Sequence, residues 1–328
     1  MGSLSMGTTS PAARDARDEP IVDTVEEPMV AVADASGRTP SAFADLMSLT
    51  KPRLSALVLV TAGGGLWLTD RVVPTSVALA AVLGTIAVVG GANALNCYLE
   101  RETDRHMART RSRPLPAGRM KPNVALAFGV ALSLISVPAL TLLTSPLAGL
   151  LAAIALLSYV LVYTPLKRKS SISTLIGALP GALPPLIGWT AATGTLDPGG
   201  LILFAILFLW QIPHSLAIGT YRQTEYEQAG LVVFPIEHGA EATRRQAVLY
   251  TLPLAVLHLA LVHAGVAGWI TLTVGSALSL GFLWQVMVWY KDRLGDDHAR
   301  KVFFASLIYL CGLFGVLAAD GLWARWLA

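Results

Sequence analysis

Nine apolar runs, separated by short polar or turn-forming stretches, organise most of this chain. They cover about 52–69, 76–98, 123–143, 146–163, 172–192, 199–220, 245–264, 267–290 and 302–323. A helix needs roughly 20 mostly apolar residues to cross a hydrocarbon core, and each run comes near that length. The separators are turn formers, such as Thr144-Ser145-Pro146 and the stretches 193–200 and 264–268. The pattern predicts an all-α, polytopic membrane domain over residues 45–328. Residues 1–44 break the pattern: they are rich in Ala, Ser, Thr, Pro and acids, without apolar period. Such a composition predicts a disordered tail. The tail has no apolar core of a signal peptide, and its acids argue against a mitochondrial transit peptide.

Composition agrees. Hydrophobic residues make up 54% and charged residues 14%, with a mean hydropathy of +0.60. A soluble domain carries about 25% charge. The net charge of +3 is too small to suggest nucleic acid. Cys97 and Cys311 lie far apart in apolar surroundings, so buried free thiols are expected rather than a disulfide or a metal site.

Charge also sets orientation, because Lys and Arg favour the cytoplasmic side. With alternating crossings, 22 of the 24 bases share one face, including Arg14, Arg17 and Arg38 of the tail and Arg293. Arg71 and Arg325 lie opposite. The N-terminus is expected in the cytoplasm and the C-terminus outside.

One polar stretch, 93–121, carries more than topology requires. It holds Asn96, Glu100 and Asp104, four residues apart, followed by Arg105, Arg109, Arg113 and other bases. On a helix such residues drift only about 40° per step, so three oxygen side chains line one stripe. Magnesium commonly binds through one or two carboxylates plus substrate phosphates. Arginines grip phosphate bidentately. The alternative is a solvated loop whose bases only set topology. Topology is nearly indifferent to acids, and acids near a membrane are costly unless paired or functional, so the carboxylates weigh against that alternative.

The spacing N-x-x-x-E-x-x-x-D, followed by R-x-M-x-R-T-x-x-R-P-L-P in the notation of the pattern, resembles the first acidic motif of the UbiA family of intramembrane prenyltransferases. Glu100 stands where that family usually has Asp, and Glu102 where Asp is common. The strings Y-T-P-L-K-R (Tyr163 to Arg168) and W-Q-I-P-H-S (Trp210 to Ser215) resemble the branch that modifies haem. The stretch Gly177 to Trp189, rich in Gly and Pro, is expected to form a kinked cavity wall. The likeness covers about 45–320 and implies a helical bundle around a central cavity, in a bacterial cytoplasmic membrane.

It also implies chemistry. Farnesyl diphosphate would donate its prenyl group to a vinyl of haem B, with Mg2+ and arginines stabilising the departing diphosphate. Asn96, Glu100 and Asp104 would bind one Mg2+, and Glu225, in the region of the second acidic motif, a second. Arg105, Arg109, Arg113, Lys167, Arg168 and Arg222 would hold diphosphate. Tyr163 would face the allylic cation, and Tyr221 would line the substrate site. His214, alone in an apolar helix, is either a hydrogen-bonded structural residue or a substrate group, holding a propionate or ligating iron. Contact with a haem A synthase is a further expectation. His106 and His298 are expected to be solvated, and Glu237 and His238 have no assigned chemistry.

Three other functions compete. A prenyltransferase for a quinone precursor shares the acidic motif but gives no reason for the two haem-branch strings. A secondary transporter would show repeats and midplane charges, whereas here the charges gather at one face. An assembly protein for a respiratory complex would not need acids at four-residue spacing.

Overall fold

The computed structural model describes residues 40–291 and 296–327. The expected tail up to residue 39, with Arg14, Arg17 and Arg38, lies outside the described residues, as does Arg293. Helix α1, Ala42–Leu49, begins inside the stretch assigned to the tail, with the Ser41 side chain accepting from the Ala44 amide.

The described residues form helices α2 Pro52–Trp67, α3 Thr75–Leu99, α4 Arg101–Arg105, α5 Pro122–Leu143 and α6 Pro146–Leu166. Then follow α7 Ser173–Thr193, α8 Pro198–Tyr221, α9 Gln223–Gln228, α10 Phe234–His263, α11 Thr271–Lys291 and α12 Asp296–Leu327. Proline opens α2, α5, α6 and α8. It suits a first turn because its missing N–H has no partner to lose there. Gly194 ends α7 in the left-handed conformation, at φ 74°.

Eight helices are long and apolar enough to cross a membrane. The ninth expected run forms α2, which has 16 residues. At 1.5 Å per residue that is about 24 Å, short of a hydrocarbon core of about 30 Å. Helix α2 still joins the two ends of the bundle. Lys51 at its start meets Asn96 near the end of α3, and Trp67 at its end accepts from Arg325 of α12. Helix α10 starts well before the apolar run at 245, because the polar segment from Phe234 is also helical. A bend at Gly239, φ 79°, separates its two parts.

Helix α7 is the central element, with two-thirds of its apolar window buried. Its glycines allow backbone contact with α2. A Cβ on Gly188 would overlap the carbonyl oxygen of Ala62, and one on Gly65 would overlap that of Pro185. Small residues at a helix crossing give the close packing that replaces hydrophobic drive in lipid. A larger core joins α8, α10, α11 and α12 through Leu203, Ile206, Leu254, Val286 and Leu313.

Cys97 is buried as expected, but Cys311 is exposed. His298 is also unlike its expectation: packing of α12 buries it.

Candidate active site

The stripe survives an interruption of its helix. Helix α3 ends at Leu99 and α4 begins at Arg101, with Glu100 between them. The four-residue hydrogen bonds nevertheless run through: Glu100 N–H donates to Asn96 O at 2.9 Å, and Asp104 N–H to Glu100 O at 2.8 Å. Asn96, Glu100 and Asp104 therefore share one face, and all three line a cavity of about 640 Å3. They are 1, 8 and 4% exposed, which a solvated loop would not be.

Burial of acids needs partners. Lys167 Nζ donates to Glu100 Oε1 at 2.8 Å, and Arg113 Nη1 donates to Asp104 Oδ2 at 2.8 Å. Burial works against the charge of Glu100, but Lys167 and Lys51 hold its carboxyl below the usual range. Burial likewise opposes the charge of Lys167, yet Tyr163 and Glu100 beside it carry it above the ordinary lysine value.

Asn96 ties three elements. Its Oδ1 accepts from Lys51 Nζ at 2.9 Å, and its Nδ2 donates to Thr164 Oγ1 at 3.1 Å. Lys51 reaches inward because the chain turns sharply before Pro52: its own φ is +52°, the left-handed region. Burial pulls its ammonium below the ordinary lysine value. Sequence reasoning took Lys51 only as a topology charge. A base directly before a helix-opening proline was the available signal.

Span α6 contributes through a local widening. Residues Ser158–Tyr163 form a π-helical turn, a feature frequent at functional sites. Tyr159 and Tyr163 both line the cavity, with ring centroids 5.1 Å apart. Lys167 Nζ stands 4.7 Å above the Tyr163 ring. Tyr159 Oη donates to Asn93 Oδ1 at 3.4 Å. Gly177 of α7 makes room for the Tyr163 ring, and Gly181 for Gln211. The glycine-rich wall thus has the expected place. Tyr226, raised by burial although the Arg109 charge opposes the shift, closes the polar end.

The polar end carries Lys51, Arg109, Arg113 and Lys167 against Glu100 and Asp104. This excess of cations suits a polyanion. Below it the lining is apolar, with Leu54, Val58, Val88, Leu207, Leu307 and Leu310. His214 also lines the cavity.

The structure does not bring Arg105, Arg168, Tyr221, Arg222 or Glu225 to this cavity. Arg105 follows Asp104 by one residue, about 100° round the helix, and pairs outside with Glu102 at 2.8 Å. Arg168 is turned to the Thr103 hydroxyl. Tyr221, Arg222 and Glu225 line a separate hollow of about 370 Å3. There Arg222 Nη1 donates to both Glu225 carboxylate oxygens, at 3.0 and 3.1 Å.

These placements bear on a metal. Among the described residues no group of three or more His, Cys, Asp or Glu could cage an ion. Glu100 and Asp104, with Asn96, supply the one or two carboxylates that Mg2+ takes when phosphate completes its shell. The donor set fits that mode. Glu225, closed by Arg222 and apart from the stripe, does not fit a second ion in this cavity.

Residues 57–308 match the family described as the UbiA prenyltransferase family. The chain is similar to the protoheme IX farnesyltransferase of Myxococcus xanthus (strain DK1622), 52% identical over 281 residues, covering 86% of this chain and 96% of that one. The protein of the same name from Sorangium cellulosum (strain So ce56) is 50% identical, covering 80% of this chain and 99% of that one. Among solved structures, one concerning digeranylgeranylglyceryl phosphate synthase in membranes is similar, with a TM-score of 0.73 at 19% identity, covering 84% of this chain and 97% of that chain. A UbiA homolog from Archaeoglobus fulgidus bound to GPP and Mg2+ gives a TM-score of 0.61 at 15% identity, covering 84% and 99%. At these identities the structural likeness shows the fold.

Proposed function

The chain belongs to the UbiA prenyltransferase family, and we propose that it transfers a farnesyl group from farnesyl diphosphate to a vinyl group of haem B. It is thus a multi-pass membrane enzyme of prenyl transfer. The donor half of the reading rests on one observation: Glu100 and Asp104 are buried on one face of a cation-rich polar end, above an apolar cavity. The acceptor half rests on the relatives named protoheme IX farnesyltransferase.

Asn96, Glu100 and Asp104 are the residues that would hold Mg2+, whose charge would stabilise the departing diphosphate. The A. fulgidus homolog bound to GPP and Mg2+ supports the same pairing of ion and prenyl diphosphate here. Lys167 and Arg113, now engaged with the carboxylates, would turn to phosphate oxygens when the substrate enters. Arg109 and Lys51 would add donors preorganised for the negative charge that develops. The farnesyl chain lies in the apolar part, which keeps water from the allylic cation. The faces of Tyr159 and Tyr163 stabilise that cation.

The carbon–oxygen bond breaks and its electron pair leaves with diphosphate. The vinyl π electrons form the new carbon–carbon bond. The cation left beside the porphyrin gains the oxygen of water and a proton is lost, giving a hydroxyethylfarnesyl group. The product is more apolar than its precursor. Direct transfer within the membrane to a haem A synthase fits that chemistry. The bases gathered at one face support an inner-membrane orientation with the site, and the N-terminus, towards the cytoplasm.

The purified chain with farnesyl diphosphate, haem B and Mg2+ should yield farnesylated haem by mass spectrometry, and no prenylated product from hydroxybenzoate. Prenylation of hydroxybenzoate alone would transfer the reading to the quinone branch.

A further inference from the structure

We infer that His214 is the axial ligand of the acceptor's iron, through a ring nitrogen whose lone pair the fold aims into the cavity. The inference rests on the haem reading above.

The hydrogen bonds of Ser306 determine the tautomer. A serine hydroxyl has one proton to give. Ser306 Oγ donates it to Phe303 O at 2.6 Å. The 2.7 Å contact between Ser306 Oγ and His214 Nδ1 must then be donated by the imidazole. Neutral His214 carries its proton on Nδ1, and Nε2 keeps a lone pair. Among the described residues Nε2 has no hydrogen-bond partner, and His214 lines the cavity.

The ring is also held in place. It stacks on Trp210, centroids 4.7 Å apart, and packs on Phe303 at 4.9 Å. Trp210 Nε1 donates to Ser306 O at 2.7 Å, so the clamp joins α8 to α12 at two points. A buried polar nitrogen is commonly hydrogen-bonded. His214 is fixed by one nitrogen, and the other has no partner among the described residues at the cavity wall. Histidines that bind metal commonly donate their second N–H to a fixed acceptor, which sets tautomer and ring angle. A proximal histidine on haem iron follows the same pattern. A propionate would need a donor, which Nε2 in this tautomer is not.

The test is spectroscopic. The full chain in lipid nanodiscs is titrated with ferric haem B and read by absorbance and electron paramagnetic resonance. Wild type should show histidine-ligated haem. His214→Ala should lose that signature, and added imidazole should restore it by entering the vacated space, which also shows that the variant is folded. Ser306→Ala keeps the ligand but frees the ring, and haem affinity should fall by ~10-fold. The doubly substituted surface variant His106→Ala, His263→Ala should keep the wild-type spectrum. A wild-type spectrum and affinity in His214→Ala would overturn the ligand assignment and leave haem as substrate. A wild-type protein that leaves haem as it is in empty nanodiscs would overturn both.

Discussion

The two acidic regions of this molecule look alike on paper and differ in space. At the first, Glu100 is held by Lys167 from another span, and Asp104 by Arg113 beyond a loop. Their carboxylates are buried in the wall of a cavity. At the second, Glu225 pairs with Arg222 three residues away, and the two side chains are 31 and 32% exposed. A half-exposed local pair of this kind contributes about 0–1 kcal/mol. Breaking a buried pair costs about 3–5 kcal/mol, because the remaining charge is stranded. A fold bears that hazard only where the charges are of use. On the proposed reading the first region carries the chemistry, and the second is a local pair at a separate hollow.

The largest expected effect comes from Asp104→Asn, which keeps the shape but removes the charge. Turnover should fall by at least ~100-fold, the scale of losing one preorganised electrostatic contact, and the melting temperature should fall as well, since Arg113 loses its partner. Chelation of divalent ions should abolish turnover as completely, and added Mg2+ should restore it; full activity in excess chelator would remove the metal from the account. Lys167→Met comes next. It should lower turnover by ~10–100-fold and destabilise the fold by about 3–5 kcal/mol, since Glu100 is left buried alone. Adding Glu100→Gln to it should recover stability and not turnover. Recovery of both would mean the pair is structural. Smallest is Glu225→Gln, where turnover should stay within ~5-fold of wild type, matching a half-exposed local pair. A loss as large as that of Asp104→Asn would erase the distinction between the regions.

Much of this was legible along the chain, for physical reasons. Apolar run length is a direct consequence of bilayer thickness, so the spans could be read from 76 onwards. Helix α2 falls short at 16 residues, because its helix ends at Trp67 and the last residues of its run lie beyond it. The four-residue spacing of Asn96, Glu100 and Asp104 foretold their common face, even across the break at Glu100. The start of α10 was hidden, since hydropathy does not report a polar helical turn such as that around Glu237. Lys51 was hidden too, because its direction depends on one left-handed residue. Tyr159 needed the π turn, which has no sequence signature. The partner of His214 lies 92 residues away, and only packing of α8 on α12 reveals it.

The most direct measurement is calorimetric binding of farnesyl diphosphate with and without Mg2+, in wild type, in the Glu100→Gln, Asp104→Asn double variant and in Glu225→Gln. The account predicts Mg2+-dependent binding in wild type and Glu225→Gln, and its loss in the double variant. Equal Mg2+-dependent binding in the double variant would contradict it.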